Sequence, residues 1–135
     1  MSLETRFAHV LASALLCCAL GATDAEAKSR GLTFHTYTKS HPSGKIYTGR
    51  TSGIGKPAKI LQKRDAGHHM NDKGYSPARL DKSSTNQAAI RGREQQLIDK
   101  HKTEGRSGNA INGISPKNKK RDHYLAEAEN EFGKP

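Results

Sequence analysis

Along residues 32–38 the chain alternates Leu, Phe and Thr with His and Tyr, a period-two run rich in β-branched and aromatic side chains that predicts a strand. His41-Pro42-Ser43-Gly44 follows as a turn, and residues 45–49 read as a second, shorter strand running back beside the first. Thr51 to Pro57 carries turn formers and reads as a loop. Pro57 is a good first helical residue. From there Ala58, Ile60 and Leu61 give one apolar face, with Lys59, Lys63 and Arg64 around it, so a helix is expected through about residue 66, ended by Gly67. His68 to Gly74 reads as a loop, and Pro77 with Ser83-Ser84-Thr85 keeps the next stretch irregular.

The longest helical pattern runs from about Asn86 to Lys102. Ile90, Leu97, Ile98 and His101 fall on one stripe, and Glu94 falls on the same stripe. A carboxylate on a buried helix face is costly unless it is paired or bound to a cation. Arg91, Arg93 and Gln95 point away from that stripe. Gly92, in mid-helix, costs about 1 kcal/mol of propensity against alanine and lets a neighbour approach the backbone. Asn109 to Ile114 reads as a short third strand or an ordered turn. Ser115-Pro116 is expected to start a last helix, with Tyr124, Leu125, Ala128 and Phe132 as its weak apolar face. Two or three short antiparallel strands with three helices make a small α+β domain.

The first residues follow another pattern. Met1 to His9 is a short polar lead carrying Arg6, and Val10 to Ala22 is an apolar run too short to span a membrane as a helix. Ala25-Glu26-Ala27 supplies a small-x-small cleavage site. Residues 1–27 are therefore expected to be a cleaved signal peptide, and residues 28–135 the domain. The expected location is secreted or periplasmic, with no stable membrane insertion after cleavage.

Charge changes the picture next. The 135 residues carry a formal net charge of +10. Loss of segment 1–27 removes one basic and three acidic residues and raises it further. An anionic partner is the default expectation, either nucleic acid or an anionic membrane surface. No strongly amphipathic basic helix with large apolar residues supports the membrane. Both cysteines, Cys17 and Cys18, leave with the signal, so disulfide frameworks and thiolate chemistry are excluded from the domain.

The candidate chemistry is an ordered series. Tyr37 and Tyr47 lie ten residues apart on the first two strands, the second within Tyr47-Thr48-Gly49. Arg64 and His68 follow, then Glu94 on the long helix, then Asn109 and Asn112 beyond it. On these residues the chain resembles the GIY-YIG endonuclease superfamily, and looks closest to nuclease toxin modules of bacterial polymorphic and Rhs-type secreted proteins. The likeness covers most of residues 32–132. The first motif reads His35-Thr36-Tyr37 and lacks its glycine, and Thr48 stands where the family has isoleucine.

The resemblance implies a secreted endonuclease that hydrolyses nucleic-acid phosphodiesters, with DNA the expected substrate. A toxin of this kind implies a cognate immunity protein as partner. Glu94 would bind Mg²⁺ or another divalent metal acting as a Lewis acid. Arg64, or Arg50, would grip the phosphate. Tyr37 or Tyr47 would position the attacking water, and the proton acceptor is either a tyrosine or His68. Lys45, Arg50, Arg91, Asn109 and Asn112 are the expected substrate contacts.

Each residue also has a plainer role. The tyrosines could be a cross-strand aromatic pair. Glu94 could be one half of an ion pair, and Arg64 a solvated helix position. Ala66-Gly67-His68-His69 is similar to the Gly-His-His signature of HNH-type nucleases, with His101 and His123 to complete a metal cluster; that arrangement leaves both tyrosines and Glu94 idle. A non-catalytic polyanion binder is the third alternative.

Overall fold

The computed structural model describes residues 31–135; the expected signal peptide lies outside the described residues. Three strands form one open antiparallel sheet in the order β2-β1-β3, with β1 Leu32–Ser40, β2 Ile46–Ile54 and β3 Arg79–Ser84. Three helices complete the α+β domain: α1 Pro57–Asp65, α2 Gln87–Thr103 and α3 Arg121–Phe132. The β1–β2 hairpin turns at His41 to Gly44, where Gly44 takes the left-handed φ of 87° and its N–H donates to the His41 carbonyl at 2.9 Å.

The sheet is covered on both faces. The period-two alternation sends Tyr37, Lys39 and Gly53 toward α1, where a Cβ on Gly53 would meet Ile60 at 2.9 Å and Lys39 reaches Asp65 at the end of the helix. The opposite face carries Thr36 and Arg50 toward α2. Helix α2 begins as expected, with the Asn86 side chain accepting from the backbone N–H groups of Ala88 and Ala89. Ile90, Glu94, Leu97, Ile98 and His101 are all buried.

Arg93 and Gln95 do not point to solvent as the stripe suggested. Arg93 is buried against β3, where it donates to Asp81, and Gln95 is buried beneath the segment before α3, its Oε1 accepting the Ile114 N–H at 2.8 Å, while α3 packs along a further side of α2. Gly92 permits that packing: a Cβ there would lie 1.8 Å from the Tyr124 carbonyl oxygen.

Three boundaries differ from expectation. Strand β2 does not stop at residue 49 but continues to Ile54, because Arg50 to Ile54 pair with Leu32 to Thr36. The third strand is Arg79–Ser84, not Asn109–Ile114. It pairs with β1 from Phe34 to Thr38 and is pinned by polar side chains: Asp81 accepts from Thr36 at 2.7 Å and from Arg93 at 2.9 Å and 3.1 Å. Residues 107–109 instead lie against the outer edge of β2, where Ser107 bridges to Ile46 in parallel. The last helix begins at Arg121, several residues after Pro116.

Candidate active site

The site is built at β2, an edge strand, where side chains from both faces of the sheet meet. Tyr37 on β1 stands opposite Gly49 on β2, and Tyr47 stands opposite Lys39, so the tyrosines are diagonal neighbours rather than direct partners. Gly49 is what lets Tyr37 lie there. A Cβ at that position would be 2.5 Å from both Cζ and Oη of Tyr37. The glycine of Tyr-x-Gly thus serves the tyrosine of the other strand.

A cleft of about 360 Å³ opens beside these residues. Tyr37, Tyr47 and Arg50 line it from the sheet, Arg64 from α1, and Glu94 from α2. Phe34, Gln87 and Ile90, none of them singled out in the sequence as site residues, complete its walls. Gln87 follows the helix cap directly, which is the one local signal that could have marked it.

His68 lies outside the cleft lining but behind Tyr37, with its Nε2 2.9 Å from the phenolic oxygen. Its other ring nitrogen, Nδ1, accepts the Met70 backbone N–H at 3.1 Å. A neutral imidazole that accepts at Nδ1 carries its proton on Nε2, so His68 donates to Tyr37. Burial, reinforced by the charges of Lys39, His69 and Arg64, lowers its pKa to about 4. The neutral form is therefore the one present at pH 7. Arg64 Nε donates to the same phenolic oxygen at 3.3 Å. Tyr37 thus has two N–H donors on its oxygen. Burial nonetheless raises its pKa, against the lowering effect of Arg64. Burial also raises that of Tyr47, whose ring centroid is 5.3 Å from His68 and 5.6 Å from His69.

Glu94 is 8 % exposed, and its Oε2 accepts from Arg50 Nε at 2.8 Å. The ion pair anticipated as its plainer role is therefore present, but inside the cleft. Burial pushes the Glu94 carboxyl above the usual range, with Arg50 and Arg91 opposing. Its second oxygen, Oε1, has no hydrogen-bond partner among the described residues, which leaves it open to a cation. The chain from 107 to 114 closes one side: a Cβ on Gly113 would fall 2.6 Å from Glu94 Oε2.

One carboxylate with phenolic and hydroxyl oxygens nearby is an all-oxygen donor set. It fits a magnesium ion that keeps most of its water shell. Among the described residues no group of three His, Cys, Asp or Glu side chains is gathered as a metal-holding cluster. His101 sits beside Glu104, with Nδ1 3.3 Å from Oε2, rather than joining His68 and His69.

The other expected contacts stand outside the cleft. Asn109 is engaged with the edge of β2: its Oδ1 accepts the Thr48 N–H at 2.9 Å and its Nδ2 donates to the Thr48 carbonyl at 2.8 Å. Asn112 accepts from Lys102 and Gln95. Arg91 lays its guanidinium over the Tyr124 ring, 4.8 Å from the centroid. Lys45 is exposed at the hairpin end.

Comparison with protein-family models, with curated proteins and with solved structures gives no match for this chain. The functional reading rests on the residues of the cleft.

Proposed function

We propose that the protein is a secreted, metal-dependent endonuclease of the GIY-YIG type that hydrolyses nucleic-acid phosphodiester bonds in this cleft, and that it acts as a bacterial toxin effector with a cognate immunity protein. One observation carries the reading. Tyr37, Tyr47, Arg64 and Glu94, set apart by up to 57 positions in the chain, line a single cleft, and His68 stands hydrogen-bonded behind the first of them.

The residues divide the work as follows. Tyr37 places its hydroxyl at the cleft wall and orients the attacking water. Once its own proton has gone to solvent, the Tyr37 phenolate takes the proton of the attacking water, and the N–H groups of His68 and Arg64 already face the oxygen that carries that charge. Donors fixed in advance where charge develops need no reorganisation. His68 is thus a positioning residue for Tyr37, which favours the tyrosine over the histidine as proton acceptor. Arg64 is exposed and can extend its remaining N–H groups to the phosphate, while Arg50 balances Glu94. Glu94 would hold the magnesium ion, which supplies Lewis-acid stabilisation of the phosphate and leaving oxygen.

The test uses supercoiled plasmid and a labelled RNA of matched length, each with Mg²⁺ or with EDTA. Cleavage of either substrate should require the metal, and Tyr37→Phe and Glu94→Ala should each lower the rate by at least about a hundredfold, the scale of lost general-base or electrostatic catalysis. Binding without cleavage by the wild-type protein would leave only a polyanion binder. Full activity in Glu94→Ala with loss in His69→Ala would replace this reading with the HNH-type one.

A further inference from the structure

A second groove, of about 490 Å³, runs between the outer part of β2 and the exposed side of α1. It shares Thr51, Ser52 and Arg64 with the cleft that holds Tyr37 and Glu94, so the two adjoin along those residues. Two further cations line it, Lys59 and Lys63. Both are exposed, and neither forms an ion pair with any described residue. They are one turn apart on α1, about 6 Å along the axis, and stand on the same face. Ile54, 64 % exposed, sits among the lining residues as an apolar surface.

The geometry points to this groove as the seat of the substrate strand on one side of the scissile phosphate. Lys59 and Lys63 hold two successive flanking phosphates, Arg64 holds the phosphate at the junction, and Ile54 packs on a base or sugar. This inference rests on the nuclease reading of the adjoining cleft and extends it. It makes the enzyme a reader of a phosphodiester chain several nucleotides long rather than of a single ester. Lysines serve here as point charges on flexible stems, which suits backbone contact without sequence preference. Two unpaired cations on an amphipathic helix are ordinarily a solvated face. What separates this pair from that case is the groove beneath them and the wall it shares with the cleft.

The experiment measures binding of a fluorescent twelve-nucleotide single strand by anisotropy, in EDTA, across a salt series. It compares the wild-type chain with Lys59→Ala/Lys63→Ala and with Lys117→Ala/Lys119→Ala, which removes the same charge outside both clefts. Removing one lysine–phosphate pairing flattens the dependence of log Kd on log salt by about 0.7 for a single strand. The groove variant should flatten by about 1.4 and weaken binding, while the control variant keeps the wild-type slope. With a dinucleotide probe the groove variant and wild type should bind alike. A wild-type slope in the groove variant, or equal flattening in both variants, overturns the inference and leaves the catalytic reading standing. Failure of the wild-type chain to bind the strand at any salt overturns the inference, while plasmid and RNA cleavage with Mg²⁺ decides the catalytic reading. A groove-dependent slope in a protein that never cleaves with Mg²⁺ upholds the groove and removes the nuclease.

Discussion

Acidification between pH 7 and pH 5 should destabilise the fold through one side chain, His68. It is 4 % exposed, with Tyr37 at Nε2 and the Met70 N–H at Nδ1. A second ring proton would set N–H against N–H, and it would add charge in a buried place beside Lys39. The folded state therefore holds this pKa at about 4, against 6.5 for an ordinary histidine. On lowering the pH the unfolded chain binds the proton first. The stability that His68 contributes is complete above pH 6.5 and is lost progressively as the pH falls toward 4. Linkage between those two values gives a loss of about 2 kcal/mol from pH 7 to pH 5, approaching about 1.4 kcal/mol per pH unit in mid-range. For a domain of this size that is a substantial part of the total.

Urea unfolding followed by far-UV circular dichroism at pH 7, 6 and 5 measures the effect. His68→Gln is the comparator, because glutamine stays neutral and keeps one donor and one acceptor. His35 is also buried and its pKa also lies below the ordinary value, while that of Glu94 lies above its own, so the total pH dependence mixes several groups. These groups are common to both proteins, and the difference between them isolates His68. The wild-type protein should lose about 2 kcal/mol more than His68→Gln over this range. Parallel curves would refute the lowered His68 pKa and the cost of charging the ring in this buried place.

Gly49→Ala places a methyl 2.5 Å from Tyr37 Cζ and Oη. It should cost about 1–3 kcal/mol in urea unfolding, as overpacking does, and lower plasmid cleavage by displacing Tyr37. Gly92→Ala would stabilise an isolated helix by about 1 kcal/mol, but here its methyl would lie 1.8 Å from the Tyr124 carbonyl. The tertiary clash should win, with a net loss of about 3 kcal/mol or more and earlier proteolysis within α3. Asn109→Ala removes two hydrogen bonds to Thr48 and should cost about 1–3 kcal/mol without altering the metal requirement of cleavage, measured by urea unfolding and a Mg²⁺ titration of plasmid nicking.

The elements that hold the cleft were legible where their burial is apolar. Helix α2 shows its stripe because Ile90, Leu97 and Ile98 bury against the rest of the domain, and β1 shows its alternation because both its neighbours are strands. Strand β3 left no such trace. Its sequence, Arg-Leu-Asp-Lys-Ser-Ser, pairs with β1 through polar contacts: Asp81 with Thr36 and Arg93, and Ser83 Oγ 2.7 Å from His35 Nδ1. A period read from hydrophobicity cannot detect a strand whose buried partners are hydrogen bonds. The end of β2 was hidden by Ser52, Gly53 and Gly55, which look like loop residues. Gly53 is there because Ile60 of α1 leaves no room for a side chain.

The same distinction runs through the site. Glu94 was visible because a carboxylate interrupts an apolar stripe, and it proves to be buried with Arg50 as counter-ion. The Tyr37–Gly49 contact was legible only as a Tyr-x-Gly string, since its cause is the register between two strands, which a single strand's sequence does not contain. His68 was placed near the chemistry, but its role depends on the Met70 N–H two residues later, a backbone donor with no side-chain signature. That donor fixes the tautomer, and the tautomer makes His68 a donor to Tyr37. A histidine expected as a candidate proton acceptor thus donates to the tyrosine it faces, because backbone geometry assigns its ring proton.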